Sequence, residues 1–397
     1  MIKNINIILP YKENYSSDNA GAVSILVSQL SNLSRFKNKI KVFGSLSIKK
    51  PITNNYIQTF AHKPFFYFSR TNYYLRLLNG KIKNNKNEFI EIHNRPQAAK
   101  FFIKKKPLCI KVLFFHNNPI ELRGSKSKKD RIFLLKNLDK IIFVSEWCRR
   151  VFFEGLGITN SNKAHVIYPG SNYLNKIPKK ENLITFAGKL NLAKGYYIFT
   201  KAILKILKKH LNWKAIIIGD DPRPYNKITH KNLKYTGWIS HKETVNIFRK
   251  SAIAVIPSLW DEPLGRTSIE ASSRGCATII SKRGGLIETN NNGIFLKNDS
   301  ENELFNKIDE LKKYLKRAYN EKLNNSFRNY NHSPFQSCGS SCWSPRPPSP
   351  STSACSGCCA ATCRRSPTSS PSTWRAPSTV GSGRHIRVPP STSFATR

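Results

Sequence analysis

Two glutamates in the second half of the chain, Glu262 and Glu270, have a spacing that can build a shared site. They are eight residues apart, a little over two helical turns, so both carboxylates can lie on one side of a turn followed by a helix. Pro263 and Gly265 supply the turn signal between them. The start of such a helix offers free backbone amides and a positive dipole end, which favour a bound anion. The residues predicted to lie near this anion are Leu264, Gly265, Arg266 and Thr267.

The surrounding sequence predicts the elements that would hold this motif. A strand-like run, Ser251 to Ile256, precedes it, and a second run, Ala277 to Ile280, follows the helix. This order predicts a βαβ unit, in which ligands bind beyond the carboxyl ends of the strands. We therefore expect Glu262 and Glu270 at that edge of a parallel sheet.

The string DEPLGRTSIEA, followed by Gly275 and the loop Arg283 to Gly285, favours a binding site. The alternative makes Glu262 a solvated loop acid and Glu270 a surface helix acid. The whole string resembles the E-x7-E signature of retaining GT-B glycosyltransferases of glycosyltransferase family 4, also called glycosyl transferases group 1. The resemblance implies that Glu262 contacts the donor sugar as a catalytic residue and that Glu270 binds the ribose of the nucleotide. The amides from Leu264 to Thr267 would then contact sugar and phosphate.

A second string, FAGKLNLAKGYYIF, places Gly188 and Lys189 after a strand, and Lys194 and Gly195 at the start of a helix. Two solvated lysines in a lysine-rich chain would give the same pattern. The spacing resembles the basic pair that binds the donor diphosphate in the same family, with Gly188 allowing close approach of the backbone. The family often has Arg at the first position, and Lys189 keeps the charge without the bidentate fork.

The first half of the chain offers fewer signals. Gly21 lies in the string DNAGA after the first strand, where small residues permit close approach of a substrate or form a tight turn; we assign it to the donor site. His116 lies at the carboxyl end of a strand, where the family has a histidine beside the donor sugar, so the resemblance implies a catalytic role. His93, in the string EIHNRP, is assigned an acceptor contact.

Apolar strand-like runs alternate with helical patterns, which predicts an α/β fold of two Rossmann-like domains facing a cleft, the GT-B architecture. The predicted domains are 1–172, on the acceptor side, and 173–332, on the donor side, with a linker near Pro169 to Lys180. The predicted strands are Ile5 to Leu9, Ile40 to Phe43, Phe89 to Ile92, Ile110 to Phe115, Lys140 to Val144, His165 to Tyr168, Leu183 to Phe186, Trp213 to Ile218, Ser251 to Ile256 and Ala277 to Ile280.

The sequence changes character near residue 333. From Ser333 to Arg397 there is no Lys, Asp, Glu, Asn, Leu or Tyr, while six of the nine cysteines occur here. Such a segment lacks the large aliphatic residues of a packed core, so we predict a disordered low-complexity tail. Cys355 and Cys358 form a CxxC without a second pair at zinc-ligand spacing. The amino-acid usage of this segment is typical of a GC-rich nucleotide sequence translated in a foreign reading frame. We therefore favour a chimeric or frameshifted tail over a functional low-complexity arm.

Charge and hydropathy limit the partners. The net charge of +43 normally indicates an anionic partner. The lysines are scattered along the chain, however, and a bias toward AT-rich codons would produce the same pattern without selection for binding. No nucleic-acid-binding motif is evident. No apolar run approaches the roughly 18 residues of a membrane span, so we expect a cytoplasmic protein. Two clusters, Phe65 to Phe68 and Lys100 to Lys106, have two interpretations. In the first, they make peripheral contact with the anionic inner face of a membrane. In the second, the aromatic residues belong to the core and the lysines are solvated.

The resemblance implies glycosyl transfer from a nucleoside diphosphate sugar with retention, and without a metal or other cofactor; the adjacent Asp220 and Asp221 are too little to predict a metal site. No carboxylate is evident on the acceptor side as a nucleophile, so front-face substitution is expected, with the departing phosphate helping to accept the proton. The acceptor would be a glycan or lipid-linked glycan of cell-surface polysaccharide or lipopolysaccharide synthesis. The alternatives are a catalytically impaired sugar-nucleotide-binding protein and a GT-B sugar-nucleotide epimerase.

Overall fold

The computed structural model describes residues 2–59, 69–171, 174, 176 and 178–320, with the backbone alone for 316–320. The predicted tail and the aromatic cluster Phe65 to Phe68 lie outside these residues. Two parallel sheets, each in contact with helices, form the described part of the chain.

The first sheet has the strand order β3-β2-β1-β4-β5-β6-β7. All its pairs are parallel, and β1 lies between β2 and β4, so the chain reverses its winding direction there. The strands are β1 (Asn4–Ile8), β2 (Ile40–Gly44), β3 (Tyr56–Gln58), β4 (Glu88–His93), β5 (Ile110–Phe115), β6 (Lys140–Phe143) and β7 (Ala164–Val166). The α-helices are α1 (Ala22–Leu33), α2 (Arg70–Lys81), α3 (Pro96–Lys105), α4 (Lys128–Asn137) and α5 (Glu146–Phe153).

The second sheet repeats this arrangement with the order β10-β9-β8-β11-β12-β13. Here β8 lies between β9 and β11, which places a second switch point at its carboxyl end. The strands are β8 (Glu181–Ala187), β9 (Lys214–Ile218), β10 (Leu233–Gly237), β11 (Ser251–Ile256), β12 (Ala277–Ile280) and β13 (Ile294–Phe295). The α-helices are α6 (Tyr196–Lys209), α7 (His241–Lys250), α8 (Arg266–Ser272) and α9 (Glu301–Asn320). Short 3-10 helices cover Lys37–Lys39, Leu192–Lys194 and Gly284–Glu288.

All ten predicted strands are present, with ends that differ by at most two residues. The apolar runs of β5, β11 and β12 are buried on both faces, as helix-covered parallel sheets require. The strands that sequence missed, β3, β10 and β13, are three of the four edge strands, and all three are partly exposed. A short, half-exposed strand lacks the apolar run by which the others were recognised.

The core of the first sheet extends into the second half of the chain. Leu264 and Ile269, which flank the start of α8, are buried in the same cluster as Phe143, Trp147 and Phe152. A fully buried side chain of this size stabilises a fold by about 1.5 to 3 kcal/mol. The glutamate motif is therefore held against the first domain by its own apolar residues.

Two further observations concern cysteines and membranes. Cys109, Cys148 and Cys276 are buried, and each is a free thiol. Among the described helices, none combines the length and the apolar character that a membrane span needs.

Candidate functional site

Gly265 ends the loop before α8 with a left-handed backbone, φ 90°. A Cβ atom at this position would lie 2.4 Å from Cδ1 of Leu286, so both backbone and space require glycine. Arg266 and Thr267 follow at the first positions of α8 and are partly exposed. The side chain of Leu264 is buried, so its predicted contribution is limited to the backbone.

Glu270 is a buried carboxylate held by an arginine and a histidine. Its Oε1 accepts a hydrogen bond from Nη2 of Arg266 at 3.1 Å and one from Nε2 of His241 at 3.1 Å. Burial raises the pKa of Glu270, but His241 and Arg266 outweigh burial and hold the pKa below its ordinary value. Glu270 is therefore ionised at neutral pH. His241 begins α7, and no sequence signal singled it out.

Glu262 is buried beside Lys194, one of the two predicted basic residues. Its Oε1 accepts from Nζ of Lys194 at 2.6 Å and from Oγ of Ser258 at 2.5 Å. The ammonium group also lies 5.3 Å from the centre of the Trp260 ring. The structure thus brings together the lysine string and the glutamate motif at the carboxyl ends of β8 and β11.

Each of the two glutamates keeps one oxygen for another partner. In both Glu262 and Glu270 the protein's donors converge on Oε1, and within the described residues no donor reaches Oε2. Neither Oε2 is among the described side-chain atoms that are both buried and unpaired, so each is reached by solvent. Two such carboxylate oxygens at one sheet edge can accept hydrogen bonds from a ligand.

The remaining predicted residues of this string lie at the same edge without such contacts. Lys189 is exposed and makes no ion pair with any described residue. At Gly188, an added Cβ would meet nothing closer than 3.8 Å, where it would face Cγ of Lys194 and the ring of Phe186. The protein itself leaves open space beside Lys194.

In the first domain, His116 follows β5 and is partly exposed. Its Nε2 lies 2.8 Å from Nδ1 of His93, whose Nε2 lies 2.7 Å from Oε1 of Glu91. Burial, His93 and Arg266, in that order, hold the pKa of His116 well below its ordinary value. His93 is fully buried, so it has no exposed surface for the predicted acceptor contact.

Gly21 caps α1 with an ordinary extended backbone, φ −73°, so no tight turn requires glycine there. A Cβ there would lie 2.4 Å from Oε1 of Glu13, so a larger residue would displace the Glu13 carboxylate. Nη1 of Arg266 donates to the carbonyl oxygen of Ala22 at 2.7 Å, which joins α1 to the glutamate motif. Arg266 therefore contacts both domains.

Two carboxylates of the first domain lie near His93, and sequence analysis assigned neither of them a role. Glu13, after β1, and Glu91, on β4, lie near His93 at the first sheet. Burial raises the pKa of Glu13 more than the hydrogen bonds of Ser24 lower it. Glu91 and His93 are two residues apart in a strand, so their side chains share one face of the sheet. This spacing was the sequence signal that could have predicted their contact.

Asp220 and Asp221 have partners of their own. Asp221 accepts hydrogen bonds from Arg223 and Asn191, and Asp220 accepts one from Tyr225. In the part of the chain that the structure describes, no three His, Cys, Asp or Glu side chains group as metal ligands.

Glu288 fastens the second domain to the start of α5. Its carboxylate accepts hydrogen bonds from the backbone amides of Glu146 and Trp147 at 2.7 and 2.8 Å and from the hydroxyl of Tyr168 at 2.9 Å. An anion at a helix start satisfies free amides and the positive dipole end. Nearby, Oγ of Ser145 donates to the carbonyl of Pro263 at 2.5 Å.

Replacing Glu288 with alanine is expected to destabilise the protein by about 1 to 3 kcal/mol, since charged hydrogen bonds to buried groups are lost. Differential scanning calorimetry measures this as a lower melting temperature. Glu146→Ala is the control, because that carboxylate is exposed and pairs within its own helix. Equal melting temperatures for the two variants would contradict the role of Glu288.

Comparisons with known proteins agree with this geometry. Residues 174–331 match the family model "Glycosyl transferases group 1". The chain is 22% identical to spore coat protein SA of Bacillus subtilis (strain 168) over 333 residues, 75% of this chain and 86% of that protein.

Solved structures show the same fold. Anabaena Alr3699/HepE, in complex with UDP and glucose, superimposes with a TM-score of 0.59 at 14% identity, over 78% of this chain and 89% of that one. Sucrose-phosphate synthase from Thermosynechococcus elongatus gives a TM-score of 0.61 at 16% identity, over 84% and 95%. The predicted GT-B architecture of two Rossmann-like domains is confirmed. The segment 174–331, which carries both glutamates and both lysines, is the part of the chain that matches the family model of group 1 glycosyl transferases.

Proposed function

We propose that this protein is a retaining glycosyltransferase that moves a hexosyl group from a nucleoside diphosphate sugar to a glycan or lipid-linked glycan, in cell-surface polysaccharide or lipopolysaccharide synthesis. The observation that carries the proposal is the pair of buried carboxylates, Glu262 and Glu270, each with Oε2 unpaired among the described residues. Ribose and sugar hydroxyls are donors of the kind these oxygens lack. The complex of HepE with UDP and glucose supports a donor of this class.

The ion pair between Lys194 and Glu262 suggests how the donor is received. The ammonium group is partly exposed, while the carboxylate is buried. An arriving diphosphate attracts Lys194, and the freed Glu262 then binds sugar hydroxyls. Glu270, kept ionised by Arg266 and His241, accepts hydrogen bonds from the ribose.

Basic side chains of the protein would balance the negative charge of the departing diphosphate. Lys194 and the exposed Lys189 flank the open space at Gly188, and Arg266 lies at the start of α8. Fixed charges of this kind stabilise charge that develops in the transition state, so no metal or other cofactor is expected. Front-face substitution with retention, in which the phosphate helps to accept the proton of the acceptor, remains the mechanism we favour.

The proposed function includes peripheral contact with an anionic membrane. Lys100 pairs with Asp130 and Lys106 is buried, so such contact would rely on the exposed Lys104 and Lys105. Sedimentation with anionic liposomes at low and high salt measures it, and absence of binding at low salt removes it.

Gly188→Ala is expected to leave stability unchanged and to weaken donor binding about tenfold or more. The protein has room for the methyl group, with no atom closer than 3.8 Å, but the space is the one that we assign to the diphosphate. Calorimetric titration and thermal melting measure the two effects. Gly195→Ala is the contrasting control: its Cβ would lie 1.8 Å from the carbonyl oxygen of Pro257, so it should unfold the domain. Unchanged donor affinity in Gly188→Ala would place the diphosphate elsewhere.

Incubation with UDP-, GDP- and ADP-sugars tests the proposed reaction. Release of one nucleoside diphosphate, faster with a glycan acceptor, is expected. A melting shift with a nucleotide but no release favours the binding-only alternative. Conversion of the sugar without release favours the epimerase.

A further inference from the structure

Three side chains of the first sheet form a continuous chain of hydrogen bonds. Glu91 and His93 lie on one face of β4, and sheet register places His93 opposite Phe114 of β5, two residues before His116. The rings of His93 and His116 stack with centroids 5.1 Å apart. Glu91 and His93 are 9% and 0% exposed, and His116 is the member that reaches the surface.

The direction of the chain follows from an ionised Glu91 and a neutral His93. An ionised Glu91 only accepts, so the proton of the 2.7 Å contact belongs to Nε2 of His93. In the neutral ring, Nδ1 of His93 is then an acceptor, and the 2.8 Å contact takes its proton from Nε2 of His116. Nδ1 of His116 then carries no proton and can accept a hydrogen bond, and no described residue donates one to it.

The surroundings of His116 favour its neutral state. Burial, then the neighbouring His93 and then Arg266 of α8 hold the pKa of His116 well below its ordinary value. Glu13, from the loop after β1, and Arg95, after β4, also face this cluster with opposite charges.

The geometry points to Glu91 and His93 as positioning residues that fix the tautomer of His116, so that its Nδ1 accepts a hydrogen bond from a substrate hydroxyl. The role of the hydroxyl rests on the proposed glycosyl transfer. The tautomer itself does not, because the hydrogen-bond chain exists without substrate. His93 then acts through His116 rather than by touching the acceptor.

Long-range ¹H–¹⁵N correlation spectra of the histidine side chains test the assignment on the whole protein. In the native sequence His116 is expected as the Nε2–H tautomer. In Glu91→Ala, His93 is free to reverse, so His116 should show a mixture of both tautomers. Nδ1–H as the main form in the native protein, or an unchanged tautomer in Glu91→Ala, would overturn the assignment.

Two further variants separate this role from general stability. Glu88→Ala removes another buried carboxylate of β4, which accepts hydrogen bonds from Asn4 and Asn6. It should lower stability without changing the tautomer of His116. If Glu91→Ala fails to fold, His93→Phe keeps a ring against Phe114 and removes the acceptor, and it should also give mixed tautomers.

Turnover gives the second measurement. Glu91→Ala should lower kcat about tenfold, while Glu88→Ala should leave kcat within about twofold, at temperatures where both variants are folded. Equal kcat in Glu91→Ala and the native protein would mean that the tautomer does not matter for the reaction. A native protein without any transfer would reject the proposed function and leave the spectra to decide the tautomer.

Discussion

Replacing Glu270 with glutamine is expected to weaken binding of the nucleoside diphosphate sugar roughly ten- to a hundred-fold, because the charged hydrogen bonds to the ribose, worth about 1.5 to 3 kcal/mol, are lost. The substitution also leaves Arg266 and His241 facing a neutral amide, although the side chain keeps its shape. Isothermal titration with the preferred nucleotide gives the affinity directly.

Asp309→Asn provides a matched control for Glu270→Gln. Asp309 is likewise a buried carboxylate beside a histidine and a basic residue, His210 and Lys209, but it lies on α9 and not at the sheet edge. It should lower stability and leave nucleotide affinity unchanged. Equal affinities in the native protein and Glu270→Gln would remove Glu270 from the donor site.

Replacing Lys194 with alanine is expected to lower kcat by about a hundred- to a thousand-fold, since one lost electrostatic donor to a developing charge costs about 3 to 4 kcal/mol. The buried Glu262 would also lose its cationic partner. Initial rates of nucleotide release measure the effect, and the affinity for donor should fall less than kcat.

Lys205→Ala is the control for this substitution. Lys205 lies on α6, beyond the site, and pairs with the partly exposed Glu301. Its removal should change neither kcat nor donor affinity. A Lys194→Ala protein that keeps native kcat would show that the ammonium group does not act on the leaving diphosphate.

Sequence predicted most of the second-domain site, because its parts are local. Lys194 and Glu262 lie in short strings that directly follow adjacent strands β8 and β11, so parallel pairing brings them to one edge. Glu270 follows within the same motif. Such contacts need only the correct strand order, which the alternation of apolar runs indicates.

The residues that sequence missed depend on longer-range geometry. His241 reaches Glu270 because α7 packs beside α8, and no local pattern encodes that contact. The contact of His93 with His116 depends on the register of β4 against β5. Arg266 meets the carbonyl of Ala22 only because the two domains are closed on each other. Glu288 belongs to the string GGLIE, but its helix partner lies more than a hundred residues earlier.

A crystal structure of the protein with its preferred nucleoside diphosphate tests the central claim most directly. The account predicts the diphosphate within hydrogen-bond distance of Nζ of Lys194, beside Gly188, and a ribose hydroxyl on Oε2 of Glu270. It also predicts that Glu262 has exchanged Lys194 for the ligand or shares it. A nucleotide bound away from these residues, with Lys194 and Glu262 still paired and Oε2 of Glu270 still empty, would contradict it.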